Sequence, residues 1–339
     1  MKTEIYSMKN LKKAAEQIKA GEIVAFPTET VFGLGAIANN DEAIRKVYQV
    51  KGRPSDNPLI VHVSSIESVY EYVEEVNDVA RNLMENFWPG PLTIIFPMKE
   101  NVFSQVATNG QTTVAMRMPR QLETIMLIEM VGFPIVGPSA NLSGRPSPTQ
   151  VDHVLHDFDH KIAGIVTNHR ELTEIGVEST VVYPMEDKVL ILRPGMVTQS
   201  MLQTVLEVPV LEKTSAEQLN DQHVMSPGVK YTHYSPNKPV YLMSSKHSLE
   251  KWQQFINQHP EKIGILATKR LIDNLSHLTD QCYCLGAEGD IYSATRHLFN
   301  GLRSLEQTDC DIILAEGFVL NDESRAYMNR LTKASNYVI

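Results

Sequence analysis

The sequence alternates short runs of apolar and β-branched residues with longer amphipathic stretches over most of its 339 residues. Such short runs are typical of strands, and amphipathic stretches of about ten residues are typical of helices. Because helices that alternate with strands pack against a sheet, this pattern predicts an α/β fold. In the first half the predicted strands are 23–26, 59–63, 92–96, 113–117, 135–137, 164–166 and 179–182, and the predicted helices are 11–20, 41–50 and 68–87.

Residues 212–238 interrupt the alternation. This segment is polar, has no firm period and contains the turn-forming runs Ser226-Pro227-Gly228 and Ser235-Pro236-Asn237. We therefore predict an N-terminal domain over 1–211, a linker over 212–238, and a small Rossmann-like domain with a parallel sheet over 239–339. In this last domain the predicted strands are 240–242, 263–266, 283–285 and 312–315, and the predicted helices are 249–258, 271–275, 291–305 and one that starts at about 323.

Charge and cysteine content narrow the functional class. Lys and Arg number 31 against 40 Asp and Glu, which leaves a net charge of −9. This balance argues against a general duplex-binding protein, because phosphate contacts need clustered cations. No apolar run approaches the roughly 18–20 residues that cross a bilayer. The three cysteines all follow residue 280 and make no disulfide framework, so we expect a cytoplasmic protein.

Four cations of the first domain lie next to predicted strands, and the strand ends of open α/β sheets bind ligands. Lys51 and Arg53 lie in a segment stiffened by two prolines, which leaves little entropy to lose on binding. Arg117 and Arg193 each end an apolar strand. Taken singly, a solvated turn or a snorkelling edge residue explains each of them. Together, in an acidic protein, they predict a shared polyphosphate ligand.

The loop from Gly137 to Gly144 follows another predicted strand and consists mostly of small and polar residues. Small side chains let a ligand approach the backbone, so we predict a binding loop, with a plain turn as the alternative. Gly33-x-Gly35-x-x-Ala38 imitates a dinucleotide fingerprint, but it lies six residues beyond its strand and before the next helix cap. No Walker A sequence is present, so a nucleotide would be held without a P-loop.

Histidines give weaker signals. His62 lies inside an apolar strand, where a satisfied core histidine and a ligand-binding one are both open readings. His153, His156 and His160 could share one helix face, but the aspartates beside them favour a solvated face over a metal site. We predict no metal site built from protein ligands.

Seven motifs occur in an order that resembles the YrdC-like family. They are Pro27-Thr28-Glu29-Thr30-Val31-Phe32-Gly33-Leu34-Gly35, Lys51-x-Arg53-x-Ser55-x-Asn57-Pro58, Trp88-Pro89-Gly90-Pro91-Leu92-Thr93, Arg117-x-Pro119, Ser139-Ala140-Asn141-x-Ser143-Gly144, Ser179-Thr180-Val181 and Arg193-Pro194-Gly195. With its linker and added C-terminal domain, the chain is similar to the longer, two-domain threonylcarbamoyl-AMP synthases. Phe32 departs from the tyrosine that is frequent in the family, which removes one hydroxyl.

The resemblance implies a twisted mixed sheet with flanking helices around a basic cavity. It also implies a nucleotidyltransferase, an L-threonylcarbamoyladenylate synthase, that joins L-threonine, bicarbonate or CO2, and ATP. The products are threonylcarbamoyl-AMP and pyrophosphate. A separate tRNA threonylcarbamoyl-transfer complex then modifies adenosine 37 of tRNAs that read codons beginning with A, so we expect weak or no direct binding of tRNA.

The resemblance also assigns residues, with Lys51 and Arg53 as the catalytic pair. The residues implied for ATP are Lys51, Arg53, Asn57, Thr113, Asn141, Thr149, Arg193 and Tyr234, and those implied for threonine are Thr30, His62, Arg117, Ser139 and Ser179. Mg2+ is implied as the companion of ATP, bound mainly by phosphates. Tyr234, on the linker, would close the cavity and exclude water from a labile mixed anhydride.

Three other functions stay open from the sequence. An RNA-binding module could use the same basic hollow, and it would retain RNA with a steep dependence on salt. A carbamoyl-transfer maturation domain shares this fold, but its companion acylphosphatase and zinc-finger modules are not visible. A dinucleotide-dependent oxidoreductase is the most remote alternative.

Overall fold

The computed structural model describes residues 2–55, 57–168, 170–212 and 234–339. Among these residues, the strands of the first half join into one mixed sheet of 11 strands in the order β1-β8-β2-β3-β7-β4-β6-β5-β9-β10-β11. The strands are β1 Glu4–Tyr6, β2 Val24–Phe26, β3 Gly33–Ile37, β4 Val61–His62, β5 Leu92–Pro97, β6 Thr113–Arg117, β7 Ile135–Val136, β8 Gly164–Val166, β9 Thr180–Pro184, β10 Val189–Arg193 and β11 Val210–Glu212.

Helices cover both faces of this sheet. They are α1 Leu11–Lys19, α2 Asp41–Lys51, α3 Val69–Tyr72, α4 Asp78–Phe87, α5 Gln105–Thr108, α6 Leu122–Val131, α7 Val151–Phe158 and α8 Gln199–Val205. Alternation along β2 shows the two layers: Val24 and Phe26 pack with α1 and α6, whereas Ala25 packs with α2 on the opposite face. The sheet is therefore the middle layer of a three-layer domain.

Helix α2 places the first cationic motif. Its N-terminus is capped by the Asn40 side chain, which accepts hydrogen bonds from the backbone N–H groups of Glu42 and Ala43. The helix ends at Gly52, whose φ of 60° lies in the left-handed region that glycine adopts without strain. Lys51 is thus the last helical residue, and Arg53 follows immediately on the connection to β4.

The C-terminal residues form a second sheet of five strands, ordered β14-β13-β15-β12-β16, in which every pairing is parallel. Its elements are β12 Val240–Met243, α9 Leu249–Gln258, β13 Ile263–Ala267, α10 Lys269–Leu275, β14 Cys282–Cys284, α11 Ile291–Glu306, β15 Ile312–Glu316, α12 Arg325–Ala334 and β16 Tyr337–Val338. Helices α9 and α10 cover one face, and α11 and α12 cover the other. This doubly wound arrangement confirms the predicted Rossmann-like class.

The α11–α12 face of the second domain packs against the first domain. Its apolar core continues into Val31 and Val177, which belong to loops of the first domain. The approach is close at Gly176, because a Cβ atom there would lie 2.3 Å from the backbone oxygen of Arg296. A buried ion pair joins Arg303 of α11 to Asp157 of α7, with 2.8 Å between Nη2 and Oδ2. The two domains therefore share an interface with a buried apolar core and a buried ion pair.

The predicted α/β class, with a mixed first sheet and a parallel second sheet, is confirmed. One predicted helix is wrong: 68–87 forms two helices, α3 and α4, because Val73 leaves the helix to pair with Met98 as a β-bridge and Asn77 caps a new helix. Of the predicted linker over 212–238, residues 213–233 lie outside the part of the chain that the structure describes. No helix of the described ranges is long and apolar enough to span a bilayer.

Candidate active site

A cavity opens beside the ends of β4, β6 and β10, between the loop after β2 and the loop after β7. Its lining includes Thr28, Thr30, Lys51, Arg53, His62, Arg117, Ser139, Asn141, Ser143, Arg145, Glu178, Ser179, Arg193 and Tyr234. All four cations that the sequence singled out therefore lie around one hollow. Because Lys51, Arg117 and Arg193 are each less than 7% exposed, their charges act in a partly desolvated space.

Lys51 fixes the small-residue loop. Its ammonium group donates hydrogen bonds to the backbone carbonyls of Ser139 and Asn141, the latter at 2.6 Å. Burial, together with the charge of Arg53, lowers the pKa of Lys51 well below its ordinary value. Lys51 thus holds the loop that the sequence marked as a binding loop.

Arg193 is held against the strand that follows Ser179. Its Nε donates to the backbone oxygen of Ser179 and its Nη2 to the hydroxyl oxygen of the same residue, both at 3.1 Å. The Ser179 hydroxyl is also 2.8 Å from that of Thr93. These bonds orient the guanidinium, as an anion-binding fork requires.

Arg117 is paired with a carboxylate of the first motif. Its Nη2 lies 2.6 Å from Oε1 of Glu29, its Nη1 donates to the Thr30 hydroxyl at 2.8 Å, and its Nε donates to the Gly90 carbonyl at 3.2 Å. Glu29 is fully buried and also accepts the backbone N–H of Arg120. Three of the five guanidinium N–H donors are used in these bonds, and Arg117 still lines the cavity.

Glu178, next to Ser179, brings the second domain into the cavity wall. One oxygen of its carboxylate lies 2.8 Å from Nε of Arg330, a fully buried residue of α12, and the other accepts the Ser147 hydroxyl. Burial opposes ionisation of Glu178, but the charges of Arg330 and Arg193 outweigh this cost and lower its pKa to about 2. The carboxylate is therefore ionised at neutral pH.

Tyr234 is the first described residue after 213–233, and it lies in the cavity wall. Its ring stacks on Phe299 with 5.2 Å between centroids, and the Cζ atom of Arg330 lies 5.6 Å from its centroid. The next residue, Ser235, donates its backbone N–H to the Gly144 carbonyl at 2.9 Å. These contacts do not test whether Tyr234 closes the cavity, so that role stays a prediction.

Polar atoms of the cavity are left without partners among the described residues. They include Nδ1 of His62 and Oδ1 of Asn141. Burial, with the charge of Arg117, lowers the pKa of His62 to about 3, so its imidazole is neutral and one ring nitrogen is an acceptor. Buried polar atoms normally find a partner, so these two are suited to binding a ligand.

Three residues implied for ATP do not line the cavity. Asn57 uses its carbonyl to accept the Tyr48 hydroxyl at 2.9 Å and so shapes the segment after Arg53. Thr113 begins β6, roughly 13 Å along the strand from Arg117. Thr149 is buried, and its carbonyl accepts the Thr173 N–H. Their contact with ATP stays a prediction.

Sequence reasoning missed Glu29, Glu178 and Arg330. Glu29 stands within one quoted motif and Glu178 directly precedes another, and this position was the available signal. Arg330 also left a trace: it falls on the same helical face as Tyr327, Leu331 and other apolar residues of α12. A charged residue on an apolar helix face needs a buried counter-ion, which here comes from the other domain.

Comparisons with known proteins agree over both domains. Residues 16–195 match the family model Sua5_yciO_yrdC, described as "Telomere recombination", and residues 197–336 match the model described as "Threonylcarbamoyl-AMP synthase, C-terminal domain". The threonylcarbamoyl-AMP synthase of Bacillus subtilis (strain 168) is 40% identical over 328 residues, which cover 96% of this chain and 92% of that protein. The protein of the same name from Pyrococcus abyssi is 38% identical over 335 residues, 97% of this chain and 95% of the relative.

A solved structure extends the likeness to three dimensions. The crystal structure of P. abyssi Sua5 complexed with L-threonine superposes with a TM-score of 0.89 at 36% identity and covers 99% of both chains. The resemblance indicated by the seven motifs is thereby confirmed, and it extends through the second domain. The chain belongs to the Sua5/YciO/YrdC family, in its two-domain form.

Proposed function

We propose that this chain is a threonylcarbamoyl-AMP synthase, a nucleotidyltransferase that makes threonylcarbamoyl-AMP and pyrophosphate from L-threonine, bicarbonate or CO2, and ATP. The observation that carries the proposal is the convergence of Lys51, Arg53, Arg117 and Arg193 on one cavity in a chain with a net charge of −9. Relatives that align over nearly the whole chain have this name, and a Sua5 relative is known in complex with L-threonine.

The cations divide the cavity between two anionic substrates. Lys51, Arg53 and Arg193 would hold the triphosphate, since guanidinium groups match phosphate oxygens in pairs and an ammonium group adds a point charge. The other ATP contacts that we propose are Asn57, Thr113, Asn141, Thr149 and Tyr234. Arg117 would bind the carboxylate of threonine, and Thr30, His62, Ser139 and Ser179 would surround the rest of the amino acid.

The chemistry then needs positioning more than acid–base catalysis. The neutral amine of threonine adds to the carbon of CO2 and releases one proton to solvent. The product is a carbamate. A carbamate oxygen attacks the α-phosphorus of ATP while the bond to the bridging oxygen breaks, and pyrophosphate leaves. Lys51 and Arg53 would stabilise the charge that develops on the phosphate oxygens. No covalent intermediate with the protein is required, since the carbamate is itself the nucleophile.

Mg2+ enters with ATP as part of the substrate. No group of three or more His, Cys, Asp or Glu side chains suited to a metal occurs in the described part of the chain. The cavity carboxylate Glu178 is already neutralised by Arg330, and Glu29 by Arg117. The ion would therefore be held chiefly by phosphate oxygens and water, as is usual for Mg2+.

The product serves tRNA modification. We propose that it passes to a separate complex that transfers the threonylcarbamoyl group to adenosine 37 of tRNA, and that this chain binds tRNA weakly or not at all. The acidic net charge supports this division of labour, because tRNA binding needs an extended basic surface.

Product analysis tests the proposal. The full-length protein is incubated with Mg·ATP, L-threonine and 13C-bicarbonate, and the products are examined by mass spectrometry. We expect 13C-labelled threonylcarbamoyl-AMP and an equal amount of pyrophosphate, both lost when threonine or bicarbonate is omitted. Pyrophosphate release that ignores threonine would contradict the proposal. Retention of RNA with steep salt dependence and no product would favour an RNA-binding module instead.

A further inference from the structure

Glu178 is a carboxylate in the wall of a cavity whose other charged side chains are cationic. It lies close enough to Arg193 for the two charges to influence each other's ionisation. A carboxylate that was free to turn towards Arg193 would compete with an anionic substrate for the guanidinium, and in a partly desolvated cavity this competition is strong. Binding of an anionic substrate therefore requires a group that neutralises the charge of Glu178.

The second domain supplies that group through Arg330. Its Nε is 2.8 Å from Oε2 of Glu178, and its Nη2 is 3.4 Å from the backbone oxygen of the same residue. Its Nη1 donates to the carbonyl of Pro194 at 2.9 Å, directly after Arg193 in the chain. Ser147 donates its hydroxyl to the remaining carboxylate oxygen. Both oxygens of Glu178 are thereby occupied by groups outside the substrate space.

Arg330 also braces two other parts of the wall. Through Pro194 it holds the backbone at the residue next to Arg193, and its guanidinium faces the ring of Tyr234 at 5.6 Å. Since Arg330 is fully buried, these contacts act without competition from water. One side chain of the C-terminal domain thus orders a carboxylate, a cation and an aromatic ring of the same cavity.

We propose that Arg330 is a positioning residue that cancels the charge of Glu178 and so keeps the cavity receptive to the triphosphate of ATP. The inference rests on the proposed function and gives the second domain a part in it. Arg330 does not touch the reacting atoms and acts chiefly on the charge of Glu178, while its contacts with Pro194 and Tyr234 support the cavity wall. Its role is electrostatic, which separates it from simple cohesion between the domains.

A double-mutant cycle tests this role. The variants Arg330→Gln, Glu178→Gln and the double variant are compared for affinity towards a non-hydrolysable Mg·ATP analogue and for the KM and kcat of pyrophosphate release. We expect Arg330→Gln to weaken analogue binding by at least about tenfold, because it leaves an uncompensated carboxylate beside Arg193. The double variant should recover most of that loss, because it removes the charge together with its partner.

Arg325→Gln is the matched control. Arg325 lies on the same helix and also pairs with a carboxylate of the first domain, Glu212, but this carboxylate, unlike Glu178, does not line the cavity. We expect unchanged affinity for the analogue. Arg330→Lys, which keeps the charge but not the fork, should lie between wild type and Arg330→Gln, and it covers the case in which Arg330→Gln does not fold.

A double variant at least as weak as Arg330→Gln would overturn the inference, since it would show that cohesion, not charge, is lost. Equal losses in Arg325→Gln and Arg330→Gln would overturn it as well. Binding of the analogue is measured without turnover, so it tests the role of Arg330 independently of the reaction. A protein that binds the analogue but forms no threonylcarbamoyl-AMP would refute the proposed function, and the binding data would still decide the role of Arg330.

Discussion

The buried ion pair between Arg303 and Asp157 should determine how strongly the two domains unfold together. Arg303 presents two nitrogens to the two carboxylate oxygens, at 3.2 and 2.8 Å, and both side chains are no more than 3% exposed. It also donates twice to the Pro146 carbonyl, at 3.0 and 2.6 Å. A replacement by methionine keeps most of the volume but removes all four bonds.

Removal of one partner of a buried pair costs about 3–5 kcal/mol, because the other charge stays buried without compensation. Asp157 keeps a hydrogen bond from the backbone N–H of Leu142 at 3.2 Å and the contact of Oδ1 with Nδ1 of His156 at 3.0 Å, which soften the loss. We therefore expect Arg303→Met to lower the free energy of unfolding by about 3 kcal/mol, a large part of the roughly 5–15 kcal/mol typical of native proteins.

Urea denaturation followed by tryptophan fluorescence measures this effect, because Trp88 lies in the first domain and Trp252 in the second. Wild type should unfold in one transition and Arg303→Met in two, since the interface then links the domains less strongly. Asp157→Asn in the Arg303→Met background should recover about 2 kcal/mol, because it removes the unpaired charge. Lys262→Met, which breaks an exposed pair with Asp309, should change stability by less than about 1 kcal/mol. A loss below about 1 kcal/mol in Arg303→Met, or simple additivity in the double variant, would refute the reasoning.

Three further predictions concern the phosphate site, acid stability and the cavity wall. Arg53→Ala should weaken analogue binding by about tenfold to a hundredfold and suppress pyrophosphate release, whereas Arg45→Ala, at an exposed pair on the preceding helix α2, should not. Equal effects of the two substitutions would remove Arg53 from the phosphate site. His62 and His153 have pKa values of about 3 in the folded protein, against 6.5 in the unfolded chain. As the pH falls through 6.5, only the unfolded state takes up protons at these histidines. We therefore expect each histidine to lower the free energy of unfolding by about 2 kcal/mol between pH 7 and pH 5. Urea midpoints at the two pH values check this, and His153→Asn should remove about half of the difference. Tyr234→Ala should raise the ratio of free AMP to threonylcarbamoyl-AMP, measured by chromatography, while Tyr234→Phe should not; an unchanged ratio in both would leave Tyr234 as a tether.

The strongly periodic elements were predictable from the sequence. The helix at Leu249–Gln258 has the predicted bounds, and strand β5 differs from its prediction by one residue. Strand β3 was missed because Gly33 and Gly35 read as loop residues. The structure explains both glycines: a Cβ atom at Gly33 would lie 2.5 Å from the Phe26 ring, and one at Gly35 would lie 2.7 Å from the Val24 carbonyl. A contact between neighbouring strands thus overrides the local signal.

The cavity was predictable where its residues lie at strand ends. Arg117 and Arg193 were identified because a cation at the end of an apolar strand is conspicuous, and Lys51 because it precedes a segment stiffened by two prolines. The fold brings all three to one cavity. Arg330 was not identified, because the partner that explains it lies 152 residues earlier in the chain and in another domain. Pairing at that separation depends on how the domains dock, which local pattern does not encode.

The docking of the two domains bears on how such enzymes can be recombined. In both of the deeply buried ion pairs that join the two domains, the second domain contributes the arginine and the first contributes the carboxylate. A chimera that joins the first domain of one relative to the second domain of another should keep this interface when both arginines find their carboxylate partners. Parents that differ at these positions would leave unpaired buried charges at the domain interface. These two ion pairs therefore indicate which domains can be exchanged between relatives.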